Sequence, residues 1–157
     1  MKSDFQFLSY KVDSVHFNIQ RKLGLLLNVQ NFNPDDFKYQ FKFREPTYFT
    51  KQKIYVSGMK ILVTLPHNSE KGINKRPLIH CGIEISGAFQ VEEDKLEPKT
   101  VENLVKIQIP AILLPYARST ITTLFANAGI GTFVFPLINI QRYAQSVETQ
   151  LKIKIVE

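Results

Sequence analysis

The chain has 157 residues, 44% of them hydrophobic and 22% charged, with seven Gly, eight Pro, twelve Phe and six Tyr. That is the balance of one globular domain, read as a single unit over residues 1–157, and it excludes a disordered or collagen-like polymer. The net charge of +6 favours an acidic partner, but the 20 Lys and Arg are scattered and form no basic tract.

In chain order, apolar residues alternate with polar ones around Phe5 and Phe7 and again at Val15, Phe17 and Ile19, which predicts one long strand. Leu23 to Val29 is a second apolar run, followed by a loop rich in turn formers that contains Phe32. Phe37, Tyr39, Phe41 and Phe43 recur every second residue with Lys38, Gln40 and Lys42 between them, placing four rings on one face of a strand. Ile54 and Val56, then Ile61, Val63 and Leu65, mark a third, with a bulge or bend expected at Ser57-Gly58 where the period slips. A fourth strand runs from Leu78 to Val91 with Ile79, Cys81, Ile83 and Ile85 on one side. The acidic stretch ending at Pro98 closes it.

The period then changes. Between Pro115 and Gly129, Tyr116, Ala117, Thr120, Ile121, Leu124, Phe125 and Ala128 repeat at helical spacing, with Pro115 as a first-turn residue. Asn139 can cap a second helix striped by Ile140, Tyr143, Ala144, Val147 and Leu151, although Leu151, Ile153 and Ile155 also alternate as a strand would; a helix with a frayed or extended end is favoured. The fold class is α+β: a four-stranded antiparallel sheet followed by two helices. Two helices cover such a sheet only in part, so apolar surface is left for an oligomer or a binding groove.

Reactive constellations are scarce. His16, His67 and His80 lack partners at metal-ligand spacing, and Cys81 between isoleucines reads as a small buried hydrophobe rather than a nucleophile. Gly129 and Gly131 do not make a phosphate loop. The expectation is a protein that is not an enzyme and needs no metal or cofactor. The longest apolar stretch is interrupted by Pro110 and Pro115, the first ten residues do not resemble a secretory leader, and the single Cys forbids an internal disulfide. A cytoplasmic protein without membrane insertion is therefore expected.

Two stretches resemble a known family. Cys81 to Phe89 (Cys-Gly-Ile-Glu-Ile-Ser-Gly-Ala-Phe) looks like the strand segment of SecB-type protein-export chaperones. Ile112-Leu113-Leu114-Pro115-Tyr116-Ala117-Arg118 is similar to that family's Ile-Leu-Phe-Pro-Tyr-Ala-Arg helix start, and Gly131-Thr132-Phe133, Pro136 and Asn139 echo its following segment. The resemblance spans about residues 79 to 143. It implies an ATP-independent holdase that binds non-native client polypeptides and assembles as a homotetramer, a dimer of dimers. On matching positions it implies client contacts at Phe89, Leu113, Leu114 and Phe133, with Phe32 and Tyr143 added by placement, and an oligomer interface at Cys81, Ile83 and Ile85.

Three departures qualify what the resemblance implies. Typical members are acidic and use a negative sheet surface to dock on the export motor SecA, whereas this chain is cationic. It ends without a docking tail, and its segment from Gly131 to Asn139 is more compact. These departures suit a SecB-like chaperone dedicated to one partner, such as an antitoxin, or one carried by a mobile element. The alternative from a different class is a single-stranded nucleic-acid-binding module in which Phe37, Tyr39, Phe41 and Phe43 stack bases while Lys38, Lys42 and Arg44 hold phosphates.

Overall fold

A computed structural model describes residues 3–21, 34–66, 76–130, 133–147 and 150–157. The strands are β1 (Phe5–Ile19), β2 (Lys38–Phe43), β3 (Thr47–Phe49), β4 (Ile54–Leu65), β5 (Ile79–Val91) and β6 (Lys154–Val156). They form one sheet in the order β1-β5-β4-β3-β6, with β2 also paired to β4. All pairings are antiparallel except β3 with β6. The four expected strands are present as β1, β2, β4 and β5. The short strands β3 and β6 are additions: the alternation of Leu151, Ile153 and Ile155 leaves a strand open at β6, whereas the three residues of β3 are too few to announce themselves by periodicity.

One face of this sheet is the floor of the core. Tyr55, Met59, Ile61, Val63 and Leu65 of β4 lie opposite Phe89, Ile85, Ile83, Cys81 and Ile79 of β5, and all are buried. Tyr39, Phe41 and Phe43 continue the face on β2, with Phe37 just ahead of it. The bulge expected at Ser57-Gly58 is absent: β4 pairs with β5 without a register shift from Ile54 to Leu65. Tyr55 takes the core position there, and Ile54 and Val56 belong to the opposite face. The irregularity lies instead in β1, whose register shifts between Phe7 and Ser9 and again between Val12 and Ser14. The first shift moves Tyr10 and Val12 onto the core side and the second restores Val15 and Phe17, so the alternation reads correctly at both ends of the strand.

The helical layer differs more from expectation. Helix α1 (Pro98–Asn103) passes through a π turn (Leu104–Gln108) directly into α2 (Ile109–Asn127). Pro115 therefore lies inside a helix rather than at its start. Proline removes an N–H and crowds the carbonyl four residues back. The π turn, in which the Ile109 N–H bonds to the Leu104 carbonyl, widens the backbone just ahead of Pro110. Ile109, Leu113, Ala117, Ile121 and Phe125 then form the stripe that buries the sheet face. Helix α3 (Ile140–Val147) follows, and Asn139 Oδ1 accepts a hydrogen bond from the Arg142 N–H at 3.0 Å, the capping geometry anticipated from sequence. Asn139→Ala should lower unfolding stability by about 1 kcal/mol in a denaturant titration. Beyond α3, Lys154–Val156 pair as a strand with β3, the extended rather than the frayed form of the expected end.

Placement also corrects the nucleic-acid alternative. Phe37 and Phe43 are buried beneath the helical layer, while the register puts Lys38 and Lys42 on the other face of β2. Rings and cations on opposite faces cannot hold one strand of nucleic acid between them.

Candidate functional site

The helical side of the sheet holds two aromatic groups. In the first, Phe125 of α2 and Phe133 stack at 3.9 Å between ring centres, and Phe37 meets both edge-on at 5.9 and 5.1 Å. Tyr39 packs on Phe135 at 5.4 Å, and Tyr143 of α3 reaches Phe41 and Phe43 at 5.8 and 5.5 Å. The Tyr143 hydroxyl donates to the Phe41 carbonyl at 3.0 Å, pinning α3 to β2. Arg118 of α2 ties the connecting segment down by donating to the Phe135 carbonyl at 3.4 Å, with its guanidinium 6.0 Å from that ring. Phe133 and Phe135 alternate inward and leave Val134 outward, and the alternation stops at Pro136, after which Leu137 is also exposed.

That outward row forms an apolar rim above the rings. Leu137 is 89% exposed, Val134 63% and Tyr143 40%. Val134, Leu137 and Tyr143 are among the exposed large apolar side chains of the described residues.

The second group joins β1 to α2. Phe5 and Phe7 pack on Phe89 at 5.4 and 5.1 Å, and Tyr10 lies 4.4 Å from Tyr116. Beside it a groove opens along Tyr10, Pro115, Tyr116, Ser119, Thr123 and Leu124. Leu8, Tyr10 and Val15 on β1 remain 45–49% exposed.

The residues expected to bind clients are divided between these groups. Phe133 and Tyr143 belong to the first, whereas Phe89 and Leu113 belong to the second, where both crowd Gly87. Phe89 and Leu113 are fully buried and Leu114 and Phe133 nearly so; Phe32 lies outside the described residues. Only Tyr143 of the described set presents substantial surface. Sequence reading missed Val134 and Leu137: Val134 lies out of phase with inward-facing Phe133 and Phe135, but Leu137 lies in phase with them and is exposed only because the alternation ends at Pro136. Cys81, Ile83 and Ile85 face α2 and are at most 1% exposed in the single chain. A subunit contact through β5 would therefore have to use its other face.

Reactive chemistry is thin among the described residues. No cluster of three or more His, Cys, Asp or Glu could hold a metal, and no helix is long and apolar enough to cross a membrane. Burial pushes the Cys81 thiol up to about 12. The native thiol should therefore react with a disulfide reagent at pH 8 at least about a hundredfold more slowly than the denatured chain. Burial likewise raises Tyr39 to about 12, with Asp35 adding to the shift.

The model of the family described as preprotein translocase subunit SecB matches residues 47–150. The protein-export protein SecB of Anaplasma phagocytophilum is 33% identical over 78 residues, 49% of each chain. SecB of Anaplasma marginale is 32% identical over 79 residues, 50% of this chain and 45% of its own. The matched stretch thus spans about half the length of these export proteins. An uncharacterized protein of Methanocaldococcus jannaschii is 25% identical over 153 residues, 94% of this chain and 86% of its own. Among solved structures, the fold matches a Mycobacterium tuberculosis SecB-like chaperone in complex with a ChAD peptide from the HigA1 antitoxin. The TM-score is 0.58 at 11% identity, covering 85% of this chain and 90% of that one. With the family's model matching residues 47–150, well over half of this chain, and the fold shared with a SecB-like chaperone, this chain belongs to the SecB family.

Proposed function

We propose that this protein is an ATP-independent chaperone, a holdase that takes up apolar segments of non-native polypeptides on the rim formed by Val134, Leu137 and Tyr143. The observation that carries the reading is the 89% exposure of Leu137, two residues along the chain from buried Phe135. Leaving such a side chain in water forgoes roughly 1.5–3 kcal/mol of burial, which an incoming client segment recovers. Phe133 and Leu114, nearly covered in the unliganded chain, would join the contact if the segment held by Arg118 lifts, with Phe89 and Leu113 deeper beneath. No catalytic group is required: binding the unfolded state lowers its free concentration and slows aggregation by mass action.

The reading extends to assembly as a homotetramer. β1 stands at one end of the sheet, and Leu8, Tyr10 and Val15 give its surface an apolar character suited to a second copy. The face opposite the helices bears Lys38, Lys42 and Lys60, with Glu84 paired to Lys60 at 3.7 Å, so docking on SecA is disfavoured and a dedicated client is favoured. The peptide bound by the M. tuberculosis structural relative, which comes from an antitoxin, makes an antitoxin segment the first client to try.

The test pairs native mass with aggregation of a heat-denatured client in the absence of nucleotide. A mass near four chains with suppressed light scattering is expected. A monomer that leaves scattering unchanged would refute both the activity and the assembly.

A further inference from the structure

On the sheet face opposite the helices, the end of β1 and the start of β5 enclose a cavity lined by His16, Asn18, Gln20, Arg21, Arg76 and His80. The strand register explains why these residues meet. Ile19 stands opposite Ile79, so the chain leaving β1 runs beside the chain entering β5. The Gln20 N–H donates to the Leu78 carbonyl at 3.0 Å, and its side-chain amide donates to the carbonyls of Arg76 at 2.9 Å and Pro77 at 3.3 Å. Gln20 thereby fixes the backbone of Arg76 beside that of Arg21.

The electrostatics of the cavity are one-sided. Among the described residues its lining contains two guanidinium groups, two imidazoles and side-chain amides, and no carboxylate. Among the described residues neither Arg21 nor Arg76 takes part in an ion pair. The register adds Lys38 on the same rung, through Thr64 opposite His80. Of the acids on this side, Glu84 is held by Lys60 of β4 at 3.7 Å, and Asp13 sits at the second register shift of β1.

The two histidines are coupled. His16 Nδ1 and His80 Nδ1 are 3.0 Å apart, with the rings edge to face at 4.8 Å. A hydrogen bond between two Nδ1 atoms needs a hydrogen on one of them only. A first added proton can sit on an outer nitrogen and strengthen the bond by charge; a second sets N–H against N–H and two cations side by side.

We infer that this cavity binds a small tetrahedral oxyanion of the phosphate or sulfate type, and that the His16–His80 pair makes its affinity rise as pH falls. Planar guanidinium forks match the oxygens of such an anion, and an anion seated between Arg21 and Arg76 offsets the repulsion within a protonated histidine pair. Linkage makes the effect reciprocal: protonation tightens anion binding, and the anion raises proton uptake. A transition metal chelated by the two Nδ1 atoms is the competing occupant, but two arginines outside any ion pair among the described residues, and a described lining without a carboxylate, oppose a cation.

Sulfate is the appropriate probe because its charge is constant between pH 5.5 and 7.5. Imidazole resonances of the full chain, assigned with His16→Gln and His80→Gln, are followed during sulfate titration against chloride at matched ionic strength. Saturable shifts of both rings are expected, with the apparent Kd tightening about fivefold from pH 7.5 to 5.5. Arg76→Gln should weaken binding about tenfold while leaving the melting temperature and client holding unchanged. Shifts equal to those of chloride, a Kd independent of pH, an Arg76→Gln variant that binds sulfate as the parent does, or rings that respond to Zn²⁺ and not to sulfate would each overturn the proposal. The outcome is separable from the chaperone reading, because Leu137 and its rim lie on the helical side of the sheet.

Discussion

Gly58→Ala is expected to destabilise the fold by at least about 3 kcal/mol, a very large effect for one methyl group. A Cβ at this position would stand 2.1 Å from the Ile85 carbonyl oxygen and 2.9 Å from Ser86 Cα. Both obstacles are backbone atoms of the partner strand, so no rotamer change relieves the clash and the two central strands must separate. The Gly58 carbonyl also accepts from the Arg44 N–H at 2.9 Å, which links this point to the corner between β2 and β3. Gly87 provides the comparison. Its added Cβ would meet the Phe89 ring at 2.7 Å and a Leu113 methyl at 2.9 Å, both ends of side chains that can yield. Gly87→Ala should therefore cost less, about 1–3 kcal/mol. Urea unfolding of both variants checks the order; a Gly58→Ala midpoint indistinguishable from that of the parent would mean the strands do not approach this closely.

The same close approach shows what a sequence discloses and what it conceals. The alternation of Phe37, Tyr39, Phe41 and Phe43 was legible because a single face of β2 is buried, and the odd-numbered row of β5 because it lines the core from Ile79 to Val91. β4 misled, since Ile54 and Val56 are apolar residues on the opposite face while a tyrosine and a serine occupy the core row at that end. In the helical layer Pro115 suggested a beginning, yet a π turn and burial of Pro110 allow the helix to run through both prolines. The site was legible in kind but less so in position. Sequence favours rings as binding groups, whereas folding seals Phe89 and Phe133 and leaves aliphatic neighbours outside. Which of two adjacent apolar residues remains in water depends on the phase of an irregular segment, and residues 133–139 lack a repeating period that would set it.

That phase makes Leu137 the most informative position for function. Leu137→Asp should leave the melting temperature within about 1 °C of the parent, because an 89% exposed side chain contributes little to the folded state. Client binding should nevertheless weaken about tenfold or more: the contact loses the burial of a leucine, roughly 1.5–3 kcal/mol, and a client's apolar residue must dehydrate a carboxylate instead. Val134→Asp should act in the same direction and add to it only partly, since the two residues would touch one bound segment. Titration of a fluorescently labelled unfolded polypeptide, run beside a charge-matched control at exposed Thr122 (Thr122→Asp) on the outer side of α2, separates a local contact from a general effect of charge. If Leu137→Asp and Thr122→Asp bind the client alike, the rim is not where clients bind. A loss confined to the rim variants would place capture where Val134 and Leu137 meet the solvent, above the Phe133 and Phe135 rings.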